Sequence, residues 1–130
     1  MRVLLADDSP LILTRMRDMA EHHKGVEIVG MAGNGPDALE ALKLLKPDMV
    51  ILDIEMAGLS GLEILHEIRK VDKSLTFVVL ALFSSDDNRK EAMNLGANYF
   101  FSKSDGFKKI DQLLTTRVAR EKWEKRQVLV

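Results

Sequence analysis

The chain has no cysteine among its 130 residues. That absence removes disulfides, thiol catalysis and structural zinc together, and fits a reducing compartment. Long apolar stretches are missing as well. The longest, Phe77 to Phe83, is far too short to span a bilayer. Nor is there an excess of charge of either sign: 19 Lys and Arg against 20 Asp and Glu give a net charge of −1. No global basic field therefore draws the chain to nucleic acid or anionic lipid. Met1-Arg2 leads straight into a strand-like segment, without the longer apolar stretch of a signal peptide. At this length one domain with a sizeable core is expected, and a soluble cytoplasmic protein is the default reading.

What is present is a regular alternation. Short apolar runs recur at 3–6, 26–32, 49–53, 77–83 and 97–101, each followed by a helical pattern. The prolines are few and each punctuates: Ser9-Pro10 and Gly35-Pro36 open helices, and Lys46-Pro47 closes the second. Ser60-Gly61-Leu62-Glu63 is a capping-box sequence, and Gly25 and Gly96 stand where helices should stop. Ala38, Ala41, Leu42 and Leu45 follow the helical template, as do Gly61, Ile64, Leu65 and Ile68 and, nearly as well, Ile12, Met16, Met19 and Ala20. The segment 85–95 offers a core mainly Ala92, Met93 and Leu95, so that helix should be loosely held. Strands alternating with helices imply βαβ crossovers and a parallel sheet covered on both faces. The last helix, from about Phe107, runs on past Arg117 to Arg126. We divide the chain into a domain over 1–122 and a C-terminal helical extension over 123–130.

Charged residues stand where these strands end. Asp7 and Asp8 close the first, Asp53 the third, and Lys103 follows the fifth. In an open α/β sheet, ligands bind outside the carboxyl ends of the strands. Converging carboxylates repel one another unless a cation sits between them. Magnesium takes oxygen ligands and commonly uses one or two carboxylates plus a phosphate. A carboxylate beside it can itself attack phosphorus, with Lys103 neutralising a phosphoryl oxygen. Taken singly, each residue has a plainer role: an Asp after a strand is most often a helix cap or turn former, and a lone lysine is a surface residue. The conjunction of all four favours chemistry.

These segments resemble the receiver domains of two-component response regulators. The resemblance covers about residues 2–120. It rests on Val3-Leu4-Leu5-Ala6-Asp7-Asp8-Ser9-Pro10, on Asp53-Ile54-Glu55-Met56-Ala57-Gly58-Leu59-Ser60-Gly61, and on Gly96-Ala97-Asn98-Tyr99-Phe100-Phe101-Ser102-Lys103. It implies a flavodoxin-like (βα)5 three-layer sandwich with a five-stranded parallel sheet in the order 2-1-3-4-5. By the same resemblance Asp53 is the phospho-acceptor. Asp8 binds magnesium directly, Asp7 acts through a water, the Glu55 backbone carbonyl is a further ligand, and Lys103 pairs with the phosphoryl group. The implied donor is a phosphohistidine on a sensor histidine kinase or a histidine phosphotransfer protein. The implied output partner docks on the face of helix four, strand five and helix five. Asp53 would gain and lose phosphate by self-catalysis, so the domain is not an enzyme in the ordinary sense.

Two positions depart from the family pattern. Ala57 stands where proline is usual, removing a fixed φ from the loop after the acceptor. Ala81 stands where a threonine or serine hydroxyl normally binds the phosphoryl group and couples it to the following helix. Ser84 and Ser85 lie just beyond, either as substitutes for that hydroxyl or as caps of the next helix. Phe100 matches the family's aromatic switch position and reads equally as a buried strand aromatic; Tyr99 should point to the opposite face. The rival to a phosphorylated switch is therefore a receiver-fold interaction module that works without phosphate. A phosphatase with an aspartate nucleophile fits only through Glu55, and a flavin phosphate would be repelled by the acidic strand ends.

Other residues have simpler readings. His22-His23 precede Lys24-Gly25 at a helix end, where cationic groups complement the dipole; a phosphohistidine or metal role is the alternative. His66 lies on the exposed side of the third helix, and the seven methionines read as core filler. The basic run Arg117 to Arg126 is interleaved with Glu121 and Glu124, and Glu121 can pair with Lys125, which makes it a solvated face rather than a nucleic-acid patch. Trp123 is the exception, an aromatic suited to contact with a partner or a second copy of the chain in a homodimer.

Overall fold

The apolar runs become five strands, and the periodic segments become five helices. A computed structural model describes residues 1–82 and 85–129. In chain order the elements are β1 (Arg2–Ala6), α1 (Pro10–Glu21), β2 (Glu27–Ala32), α2 (Gly35–Leu45), β3 (Met49–Asp53), α3 (Gly61–Arg69), β4 (Thr76–Ala81), α4 (Asp86–Asn94), β5 (Tyr99–Ser102) and α5 (Gly106–Leu129). All strand pairs are parallel, in the order β2-β1-β3-β4-β5. The flavodoxin-like architecture is thus the one expected.

Strand alternation divides the core into two layers. Leu4, Val50, Leu52, Phe77 and Val79 point to the side covered by α2, α3 and α4. Val3, Leu5, Ile51, Val78 and Leu80 point to the side covered by α1 and α5. Because both faces of β3 and β4 are covered, every residue of these two strands is buried, which explains their unbroken apolar runs. Tyr99 and Phe100 fall in opposite layers, as alternation requires.

The helix ends follow the local signals. Ser9, Asn34, Ser60 and Ser85 each accept a backbone N–H at a helix start, and Ser60 with Glu63 completes a capping box. Lys46 ends α2 in the left-handed region, at φ 46°, and Pro47 follows, unable to continue a helix.

β4 ends at Ala81, whose rung on Ser102 is its last; Leu82 lies beyond it and is exposed, and Phe83 lies outside the described residues. Two sequence expectations are corrected. Met16 and Met49 fill the core, but Met31 is on an edge strand and Met93 on the outer side of α4, and both are exposed. Glu121 faces the Met1 amino group at 3.7 Å rather than Lys125, while Arg120 pairs with Glu124 at 3.3 Å. The extension expected from residue 123 continues α5 without a break as far as Leu129, and burial falls along that helix, from the fully buried Leu114 to the exposed residues 122–127. Of the α4 residues only Ala92 is buried, in keeping with its weak stripe.

Candidate functional site

The strand ends bring Asp7, Asp8, Asp53 and Lys103 to one edge of the sheet. Asp7 follows β1 directly and is tethered by its own N–H to the Ala32 carbonyl (3.0 Å). Asp53 is the last residue of β3, one strand over. Lys103 follows β5, its N–H on the Ala81 carbonyl at 2.8 Å. One carboxylate oxygen each from Asp7, Asp8 and Asp53 lies within 4.8 Å of the others. Among the described residues no other group of three metal-capable side chains gathers in this way.

Burial makes this arrangement costly. Asp7 is fully buried and Asp53 is 3% exposed, whereas Asp8 is open to solvent. Lys103 Nζ donates to Asp53 Oδ2 at 3.1 Å and lies 3.0 Å from Asp7 Oδ2. Asp7 Oδ1 accepts from the Ser9 N–H (2.9 Å), and Asp53 Oδ1 accepts from the Glu55 N–H (3.1 Å). Asp7 Oδ2 makes only the ionic approach to Lys103; its angle leaves that buried oxygen without a hydrogen bond. Burial pushes the Asp53 carboxyl above its ordinary value, and the Asp7 charge adds to this, against the Glu55 N–H and Lys103. Burial alone would pull Lys103 down, but the Asp7 and Asp53 carboxylates beside it outweigh that and hold it raised. It stays an ammonium ion.

The charge balance tests whether a metal fits. Three carboxylates face one ammonium, leaving two negative charges, the complement of one divalent cation. The donors are all oxygens, as a hard cation requires. Asp7 Oδ2 is buried and, beyond its ionic approach to Lys103, has no hydrogen bond, and such atoms call for a partner. Glu55 is tied to Asp53 through its N–H, and among the described residues no backbone N–H takes its carbonyl. The residues fit magnesium.

The departures from the family pattern are equally visible. Ala81 is fully buried, and Phe100, 3% exposed, sits in the same apolar layer. Ser85 caps α4 by accepting the Asn88 N–H (3.1 Å), while Ser84 lies outside the described residues. The loop carrying Ala57 is held without a proline: the Ala57 carbonyl accepts the Gly35 N–H at 2.9 Å. Gly58 takes a positive φ of 84° against Pro36, which favours glycine. His23, in the turn after α1, meets Asp111 of α5 at 2.6 Å, a contact between that turn and a helix rather than part of a metal cluster. His66 is exposed, and Trp123 is 61% exposed. Sequence reasoning missed Arg89, whose guanidinium lies 5.0 Å from the centre of the Phe100 ring. No spacing rule joins a helix residue to a strand residue across a loop.

Comparison with known proteins agrees with this geometry. The response regulator receiver domain profile matches residues 3–115. A protein-glutamate methylesterase/protein-glutamine glutaminase of Methanospirillum hungatei is 39% identical over 86% of this chain and 33% of its own length. The transcriptional regulatory protein YesN of Bacillus subtilis is 36% identical over 78% of this chain and 28% of its own. This chain thus spans about a third of the curated relatives it matches. Among solved structures, the response regulator domain of Thermotoga maritima CheB superposes with a TM-score of 0.80 at 28% identity, covering 92% of this chain and 94% of that one. With a matching profile over most of its length, the chain belongs to the response regulator receiver domain family of two-component signalling.

Proposed function

We propose that Asp53 accepts a phosphoryl group from a phosphohistidine of a sensor histidine kinase or histidine phosphotransfer protein. The observation that carries this reading is the approach of Asp53 Oδ2 and Asp7 Oδ2 to Lys103, with that buried Asp7 oxygen left without a hydrogen bond beside Asp8. A carboxylate oxygen of Asp53 forms the new bond to phosphorus as the phosphorus–nitrogen bond breaks. The bonding pair returns to the imidazole, and an aspartyl phosphate remains. Asp7, Asp8, Asp53 and the Glu55 carbonyl would hold magnesium, which when bound offsets negative charge on the transferred group. Lys103, already turned toward Asp53, neutralises a phosphoryl oxygen as its charge shifts. For phosphoryl transfer such positioning and charge stabilisation are most of what a protein contributes.

The signal would leave by the face of α4, β5 and α5, toward an output partner not specified by this chain. No helix among the described residues is long and apolar enough to cross a membrane, which suits a cytoplasmic location. The test is intact-protein mass after incubation with acetyl phosphate and magnesium. One added phosphate is expected in the wild type and none in Asp53→Asn; an unchanged wild-type mass at high donor and metal would reject the reading.

A second reading is favoured by one observation: Phe100 is already buried, in the same apolar layer as Ala81. On that reading the domain is an interaction module whose output face is partly active-like without phosphate.

A further inference from the structure

The acidic site occupies the carboxyl ends of the strands; a sizeable cleft lies at the opposite end. It has a volume of about 900 Å³ and opens between the end of α2, the end of α3 and the segments entering β3 and β4. That size lies within the range of small-molecule sites, roughly 300–1,000 Å³. Its floor is apolar, formed by the buried side chains of Leu42, Ile68 and Leu75. Val71 stands on its rim and is 79% exposed.

The charges around this cleft are unequal in their commitments. Asp48 Oδ2 accepts the Arg2 N–H at 2.7 Å. Asp72 Oδ1 accepts from the Ser74 N–H, the Ser74 hydroxyl and the Leu75 N–H. Both acids are engaged with their own chain. The cations are not: among the described residues Lys43, Lys46 and Arg117 form no ion pair. Arg117 is nevertheless anchored, donating from Nη2 to Thr76 Oγ1 at 2.7 Å, which fixes its guanidinium at the cleft wall. The cleft therefore offers an apolar floor with uncommitted positive charge at its edge.

We infer that this cleft binds a small molecule carrying one anionic group on an apolar body. The apolar body would lie over the cleft floor and cover the exposed Val71, where burial of apolar surface drives binding. The anionic group would meet Arg117, whose planar fork suits a carboxylate or phosphate, with Lys43 and Lys46 beside it. The site is independent of Asp53 and its neighbours.

The test is amide chemical-shift titration of the full chain with decanoate below its micelle concentration. Decan-1-ol, which has the body without the charge, and inorganic phosphate, which has the charge without the body, serve as controls. Shifts should cluster over residues 42–48, 68–76 and 117, with decanoate binding more tightly than either control. Lys43→Gln with Lys46→Asn should weaken decanoate by up to about tenfold, the sum of two exposed charge contacts. Asparagine suits the left-handed backbone at position 46, so the fold should hold. Val71→Asp, at an exposed position, should weaken it as well. Equal binding of decanol and decanoate, shifts scattered over the surface, or unchanged affinity in both variants would overturn the inference.

Discussion

Arg89 of α4 covers Phe100 of β5: its guanidinium carbon lies 5.0 Å from the ring centre, and its Nη1 donates to the Phe100 carbonyl at 3.2 Å. One side chain thus fastens a poorly packed helix to the strand beneath it. α4 buries only Ala92, so its attachment depends more than usual on such contacts. Arg89→Gln should cost about 0.5–1 kcal/mol of global stability, the range for an exposed cation–π contact. Hydrogen exchange in 86–94 should accelerate more than in β3. Uniform acceleration would mean that Arg89 serves the whole fold rather than this helix.

Ala81 bears on whether phosphate changes the output face. Phe100 is held inward without any hydroxyl at position 81, and burying a phenylalanine is worth roughly 1.5–3 kcal/mol over exposing it. Beryllium fluoride with magnesium, a phosphate mimic, should therefore produce only small amide shifts over 85–103 in the wild type. Ala81→Thr should widen them. A large wild-type response that Ala81→Thr does not increase would remove this account and turn attention to Ser84 or Ser85.

The contrast between these two residues illustrates what a sequence discloses. The four charged groups of the site were legible because each follows an apolar run, and parallel strands all deliver their ends to one edge. Ala81 was legible by its spacing from Lys103. Arg89 was not, because its partner lies on another element and nothing in local periodicity specifies which exposed helix residue turns inward. The cleft beside Arg117 was hidden for the same reason: it is assembled from α2, α3, α5 and the segments entering β3 and β4. The exposed Met31 and Met93 were misread because hydrophobicity alone does not tell an edge strand or an outer helix face from a core position.

Magnesium should stabilise the fold, since a ligand bound by the native state alone raises stability by mass action. Without it the Asp53 carboxyl is raised, chiefly by burial, with the Asp7 charge adding to that. The melting temperature should climb with millimolar magnesium in the wild type and much less in Asp8→Ala. Asp53→Asn, which removes one of the repelling charges, should melt higher than the wild type in chelator. Equal magnesium responses in wild type and Asp8→Ala would locate the ion elsewhere.

Asp72 supplies a pH test away from the site. Hydrogen bonds from the Ser74 hydroxyl, then the Ser74 and Leu75 N–H groups, hold its carboxyl below the ordinary value. A depressed folded-state value means that its contribution is complete above the unfolded value and fades as pH falls through the lower folded one. Asp72→Ala should cost about 1 kcal/mol near neutrality, the scale of a lost turn hydrogen bond. That cost should shrink below about pH 4, where the carboxylate takes up its proton. A cost independent of pH would assign the effect to packing instead.

Gly35 ties α2 to the loop that follows the acceptor. It opens the helix, its N–H is on the Ala57 carbonyl, and a Cβ there would collide with the Leu59 carbonyl oxygen. By helix propensity alone, alanine at this position should stabilise the protein by about 1 kcal/mol. The contact reverses that sign, because backbone rather than a movable side chain is in the way. Overpacking of this kind costs about 1–3 kcal/mol. Nearby Gly33 is the control, since a Cβ there meets nothing within 4 Å. Gly33→Ala should be neutral or slightly stabilising, and Gly35→Ala should lower the melting temperature. Because the displaced loop runs from Asp53 through Glu55 to Leu59, Gly35→Ala should also slow mass gain from acetyl phosphate, while Gly33→Ala should not. Equal melting and equal phosphorylation in the two variants would show that the loop yields freely, and that its position against α2 is not what holds the acceptor site in place.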